Sequence, residues 1–248
     1  MSGHSKWHNI QAKKGKTDAA RGKIFTKIGR EIAIAVREGG ANPESNSKLK
    51  DIIAKAKANN MPNDNIQRSI KKASGEGDGA NYEEFSYEGY APGGVAVIVN
   101  LVTDNRNRTS SDIRHIFDKN GGSLGTTGSV SYQFDNKGVI VIEREPDMDE
   151  DDIMMKAMDA GAEDMKTEED AFVIYTAPND FSAVREALEN EGLSFLSADK
   201  QMVPQNTIKV DDPETVAKIQ KLLDMLDDND DVSEVYHNAE LPEEEEEE

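Results

Sequence analysis

Apolar residues recur at helical spacing through the first third of the chain, then shift to dense runs broken by amphipathic segments. From Lys23 onward, Ile24, Ile28, Ile32 and Val36 share one face, Lys23, Lys27, Arg30 and Arg37 lie on others, and Gly39-Gly40 stops the helix. Leu49, Ile52, Ile53 and Ala56 signal a second helix. A third begins around Pro62, a residue suited to a first helical turn, and carries Ile66 and Ile70. The run Gly75-Glu76-Gly77-Asp78-Gly79 then reads as a flexible linker and a domain boundary.

Past the linker the pattern alternates strands and helices. It starts with the apolar run 95–102, a helix carrying Ile113, Ile116 and Phe117, and a strand near 130–134, which together make one βαβ half. A strand at 139–142, a helix with Ile153 and Ala157, strands near 163–166 and 172–175, a helix with Phe181, Val184 and Leu188, and a strand near 195–202 form a complete βαββαβ unit. A strand at 208–210, a helix with Val216, Ile219, Leu223 and Leu226, and a strand at 232–236 then complete the interrupted half. The predicted class is α+β: a three-helix domain followed by two ferredoxin-like α/β domains, the second inserted into the first. The expected boundaries are 1–80 for the helical domain with its linker, 81–135 plus 206–240 for the first α/β domain, 136–205 for the insertion, and 241–248 for an acidic disordered tail. Tandem α/β domains without insertion are the alternative topology.

Charge changes the picture most. Residues 1–80 hold 16 Lys and Arg against 8 Asp and Glu, in a chain of 248 residues whose net charge is −20. A basic module in so acidic a chain points to a polyanion, because each lysine or arginine that neutralises a phosphate releases a condensed counterion. Lys6, Lys13, Lys14, Lys16, Arg21, Lys23, Lys27 and Arg30 crowd the first thirty residues against Asp18 alone, with His4, Trp7 and His8 interleaved. That mixture suits phosphate contacts with base stacking. The plainer account makes the basic run a solvated helix face and Trp7 a clamp on its own domain. Lys48, Lys50, Lys55, Lys57, Arg68, Lys71 and Lys72 continue the cationic surface.

The remaining composition narrows the classes. Without cysteine there are no disulfides or thiolate metal sites. No apolar run approaches the ~18 residues of a membrane span and no secretion-signal core opens the chain, so a soluble cytoplasmic protein is expected. None of the four histidines pairs at a helical zinc spacing, and neither a nucleophile elbow, a Walker loop nor a dinucleotide fingerprint is found. No catalytic residue, metal, cofactor or small-molecule substrate is therefore expected. Gly121-Gly122-Ser123-Leu124-Gly125-Thr126-Thr127-Gly128 is read as a loop, with backbone contact to phosphate as the minority reading. In Asp104-Asn105-Arg106-Asn107-Arg108-Thr109, between a buried strand and a helix, Arg106 and Arg108 can converge with helix N-terminal amides on an anion. Equally, Thr109 and Asp112 resemble a capping box flanked by surface arginines. An acylphosphatase-like enzyme also places an arginine on such a frame, but its glycine-valine-rich loop motif is missing here.

Gly3-His4-Ser5-Lys6-Trp7, Asn9-Ile10, Arg21-Gly22-Lys23-Ile24-Phe25-Thr26-Lys27, the Asp104 to Thr109 motif and Glu234-Val235-Tyr236-His237-Asn238 occur in an order that resembles the YebC/PmpR family, from the N-terminus to about Asn238. The resemblance implies three domains and a non-enzymatic role in gene expression. It carries two descriptions: a DNA-binding transcriptional regulator, and a ribosome-associated translation factor that relieves stalling at proline-rich stretches. Phosphate attraction is common to DNA and ribosomal RNA, so charge does not choose between them. A cationic arm bearing Trp7 suits irregular RNA slightly better. Residues 243–248 extend past the family-like motifs as a solubilising tail, or alternatively fold back on the basic domain as an electrostatic competitor.

If Lys13, Lys14 and Lys16 all touch phosphates, replacing them with Gln lowers the log-log salt slope of nucleic-acid binding by about two to three. A filter-binding salt titration checks this, and an unchanged slope removes them from the interface.

Overall fold

The computed structural model describes residues 18–75 and 81–242. Lys6, Trp7, Lys13, Lys14, Lys16, most of the glycine linker and the glutamate tail lie outside them. The helical domain consists of α1 (Asp18–Gly39), α2 (Ser47–Ala58) and α3 (Asn63–Ser74). Ile28, Ile32 and Val36 of α1 pack with Leu49, Ile52 and Ala56 of α2 and Ile66 and Ile70 of α3, as their spacing requires. Gly40 takes a left-handed φ of +84° where α1 stops. The buried Asn46 then ties the two helices together: its side-chain amide donates to the carbonyls of Ala35 and Gly40, and its oxygen accepts from the Leu49 amide at the start of α2.

The rest of the chain forms two four-stranded antiparallel sheets. The first, in spatial order β3-β1-β2-β9, uses β1 (Glu83–Ala91), β2 (Val95–Thr103), β3 (Ser123–Leu124) and β9 (Val232–His237). Its inward residues Val95, Val97, Val99 and Leu101 pack under α4 (Arg106–Lys119) and α7 (Pro213–Asp228). The second, in order β5-β6-β4-β7, uses β4 (Phe134–Glu143), β5 (Asp164–Thr167), β6 (Ala171–Thr176) and β7 (Ser197–Pro204), covered on one face by α5 (Glu150–Ala160) and α6 (Phe181–Asn190). This second sheet lies wholly between β3 and β9 in sequence, so it interrupts the first. A short parallel pair, β8 (Ile208–Lys209) with β10 (Ala239–Glu240), stands outside both sheets.

The second sheet has the ferredoxin-like thread βαββαβ. The first repeats the antiparallel layout but opens with a β1–β2 hairpin. β1 has no Val or Ile, and its Phe85, Tyr87 and Ala91 alternate with Glu84, Ser86 and Glu88, a weaker pattern than the 95–102 run. The expected strand near 130–134 is not formed: residues Ser131–Gln133 make a 3₁₀ turn, and Phe134 begins β4. The strand after α4 is instead the two-residue β3, paired with Gly89 and Tyr90. Gly89 is required there, since a Cβ would lie 2.5 Å from the Ser123 carbonyl oxygen.

The two α/β domains meet through an apolar cluster of Ala96, Ile98, Val130 and Phe134 with Tyr90, Met202 and Tyr236. The helical domain is attached by charge. Across its contact with the inserted domain, Ser182 donates to the Asp51 carboxylate at 2.8 Å, Lys200 approaches the same group at 3.3 Å, and Lys50 pairs with Glu186 at 2.8 Å. All three domains converge at Lys55, which donates to Glu31 of α1 at 3.1 Å and to Glu234 of β9 at 2.5 Å, beside a cavity of about 190 Å³ that Asp199 of β7 also lines. Burial opposes the Lys55 charge, but Glu234, Glu31 and Asp199 outweigh it and hold its pKa well above the lysine range. Burial, reinforced by Glu234, Glu31 and Asp51 and opposed by Lys55, pushes Asp199 up to about 7.

The folded protein therefore holds a proton on Asp199 between the usual carboxylate range and about pH 7 that the unfolded chain releases, and this contribution to stability fades as pH rises through 7. Asp199→Asn removes the charged form. In denaturant titrations the variant is expected to match the native protein only below the usual carboxylate range and to exceed it by a margin that grows up to about pH 7 and persists at pH 8; equal midpoints at pH 8 would count against a strained Asp199.

Candidate nucleic-acid interface

The amphipathic pattern that builds α1 also decides where its cations go. Ile28 and Ile32 face the helical core, which turns Lys23, Lys27 and Arg30 toward the C-terminal end of α7 and the loop after it. Lys23 meets Asp228 at 2.9 Å and Lys27 donates to the Asp227 carbonyl at 2.7 Å. Arg30 donates to the Asp230 carbonyl at 2.8 Å and to Asp231 Oδ1 at 2.6 Å, with its guanidinium 5.5 Å from the Tyr82 ring centre. Helix C-termini carry unsatisfied carbonyls and a partial negative charge, and α7 adds Asp224, Asp227 and Asp228 there. The three cations of α1 offset that charge. Sequence reasoning placed them on phosphate; in this arrangement their charge holds two domains together. Arg21, one turn earlier, is exposed.

Asp231 is the centre of this contact and is only 5% exposed. Its second oxygen accepts from Arg108 at 2.9 Å and from the Thr109 hydroxyl at 2.7 Å, while its backbone carbonyl accepts from the Val102 amide. Burial disfavours the carboxylate, but hydrogen bonds from Thr109, Arg108 and Arg30 outweigh it and hold its pKa below the usual range. Arg108 also pairs with Asp104 at 3.1 Å. Arg106 lies over the Phe85 ring at 4.3 Å, with Glu83 3.8 Å away. Each arginine expected at a secondary anion contact is thus already faced by a carboxylate. Thr109 does not cap α4: Asn105 is the N-cap, accepting from the Arg108 amide at 3.1 Å, and the buried Thr109 bonds Thr103 and Asp231 instead.

The glycine-rich loop is organised the same way. Glu88 of β1, 5% exposed, accepts from the amides of Gly128, Val130 and Ser131, each at 2.8 Å. Those donors keep its pKa low despite burial. Of the loop amides that the minority reading offered to a phosphate, that of Gly128 therefore already holds a carboxylate.

The second half of the helical domain divides into two groups. Lys48 pairs with Glu38 and Glu84, Lys50 with Glu186, and Lys55 with Glu31 and Glu234. By contrast, Lys57, Arg68, Lys71 and Lys72 are exposed and have no ion pair among the described residues. Arg68, Lys71 and Lys72 stand at i, i+3 and i+4 on α3, where Asp64 is the helix's one acid. Beside them a groove of about 220 Å³ runs between α1 and α3, lined by Phe25, Thr26, Met61, Asn65, Arg68 and Ser69. Sequence reasoning missed the roles of Glu88, Lys55, Asp199 and Asp231, since their partners lie far away along the chain.

Comparison with known proteins agrees with this architecture. The model of the TACO1/YebC protein N-terminal domain matches residues 5–76, and that of the TACO1/YebC second and third domain matches residues 82–239. A probable transcriptional regulatory protein of Clostridium novyi is 63% identical, covering 98% of this chain and 99% of its own. Another from Ruminiclostridium cellulolyticum is 63% identical over the full length of both. The crystal structure of a conserved hypothetical protein from Aquifex aeolicus, 47% identical, superposes with a TM-score of 0.83 over 94% of this chain and 96% of that one. With both family models matched in order along nearly its whole length, the chain belongs to the TACO1/YebC family.

Proposed function

We propose that this protein regulates gene expression without catalysis, by binding nucleic acid in the cytoplasm through the helical domain. The observation that carries the reading is the cationic face of α3, where Arg68, Lys71 and Lys72 stand without acidic partners among the described residues while the neighbouring cations hold domains together. Lysine and arginine on a convex helix supply phosphate contacts and a salt-dependent affinity. The basic residues at positions 6–16 extend the same charge along the chain. Relatives named as transcriptional regulators favour DNA as the target. A second reading, ribosomal RNA bound by a translation factor, is favoured by the half-buried Phe25 beside Arg68, an aromatic surface suited to unstacked bases.

The triple change Arg68→Gln, Lys71→Gln and Lys72→Gln lowers the log-log salt slope by about two to three, whereas Lys23→Gln with Lys27→Gln leaves it unchanged because those cations already face α7. The opposite pattern would move the interface to α1. Ultraviolet crosslinking in growing cells, with attached RNA and DNA sequenced together, decides the target. Discrete ribosomal RNA positions lost in the triple variant establish the second reading, and discrete promoter DNA without ribosomal enrichment establishes the first.

A further inference from the structure

The groove between α1 and α3 has a composition that phosphate binding alone does not explain. Its floor is apolar: Met61 is buried, and Phe25, one turn before the buried Ile28, packs its inner side on the helical core while remaining half-exposed. Its rim is polar. Thr26 and Ser69 supply hydroxyls, Asn65 supplies an amide, and Arg68 supplies a planar guanidinium with no ion pair among the described residues. One turn after Phe25, a Cβ at Gly29 would sit 3.6 Å from the Ser69 hydroxyl, so α1 and α3 run close together there. Lys71 and Lys72 follow Arg68 on the next turn of α3.

An aromatic floor is a poor seat for a charged phosphate and a good one for a flat heteroaromatic ring. A guanidinium plane at the rim stacks on such a ring and also pairs with an anion. A side-chain amide offers both a donor and an acceptor to a base edge. The complementary ligand is flat and apolar at its centre, polar at its edge and flanked by anions, which describes one nucleotide of a strand. In a duplex that base is stacked and paired and has to be extracted before it can enter the groove. Loops and bulges of RNA present bases already splayed.

We propose that the Phe25–Arg68 groove receives a single unpaired base of an RNA strand, with Lys71 and Lys72 on the adjoining phosphates. This rests on the reading of the helical domain as a nucleic-acid-binding module and assigns that module a strand type.

Anisotropy measurements on the full chain test it with a labelled single-stranded RNA, the same strand as an RNA duplex, and the matching single-stranded DNA. Two variants separate stacking from charge: Phe25→Leu keeps an apolar side chain on the core, and Arg68→Lys keeps the charge but loses the plane. The native protein prefers the single-stranded RNA. Each variant weakens that complex about tenfold and the duplex complex by a much smaller factor, and the salt slope is kept because neither change removes a charge. Because Arg68 is exposed, Arg68→Lys is expected to unfold at the native temperature, so its loss of binding is not a loss of fold. Equal native affinity for single strand and duplex, equal affinity for the matching DNA strand, or variants that bind single-stranded RNA as the native chain does would each overturn the groove assignment while leaving nucleic-acid binding by α3 in place. Absence of binding to all three nucleic acids at low salt would overturn both.

Discussion

One buried carboxylate sets much of this structure. Asp231 accepts hydrogen bonds from Arg30 of the helical domain and from Arg108 and Thr109 of α4, and its backbone joins β9 to β2. A carboxylate can be held charged in so enclosed a place only when donors surround it, and removing one member of such a set leaves the others buried and unpaired. The local chain is shaped to supply them. Asn229 accepts from the Asp231 amide, and the β2–β9 register shifts between Asn100 and Leu101, next to the Val102 amide that bonds the Asp231 carbonyl.

The same constraint changes the meaning of the basic sequence. A count of lysines and arginines in residues 1–80 gives an excess of positive charge, but surface charge is what remains after the fold has used its share. Exposed pairs such as Lys23 with Asp228 contribute little to stability individually, because water screens them. Arg30 and Lys55 are better shielded, with side chains 17% and 18% exposed, and each bridges domains. Within the helical domain, Arg68, Lys71 and Lys72 of α3 are left facing solvent without an ion pair among the described residues.

The local part of the fold was legible in the sequence. Period-3.6 spacing identified α1, α2, α3, α4 and α7, because each buries one stripe. The run 95–102 identified β2, because a central strand is buried on both faces. Helices and strands between 139 and 202 also revealed the order of the inserted sheet. What escaped had non-local causes. β1 hides behind glutamates, one of which, Glu88, points into a loop some forty residues away. Residues 130–133 have strand-like composition but are bent by that carboxylate. Thr109 looks like a cap until Asp231, 122 residues later, reaches its hydroxyl. Phosphate and carboxylate attract the same cations, so the sequence alone could not tell Lys23 or Arg30 at a domain contact from the same residues on nucleic acid.

That ambiguity also has a structural consequence. The run of aspartates at the end of α7 is unfavourable in isolation, since it adds negative charge to the negative pole of a helix. It is tolerated because Lys27 and Arg30 satisfy the carbonyls of Asp227 and Asp230 while neutralising their surroundings. A phosphate drawn to those cations would have to displace hydrogen bonds that complete another helix, a cost that α3 does not impose. Division of labour between the helices follows: Lys23, Lys27 and Arg30 of α1 and Lys48, Lys50 and Lys55 of α2 are engaged in ion pairs or domain contacts, and α3 can meet a polyanion without disturbing how the domains are held.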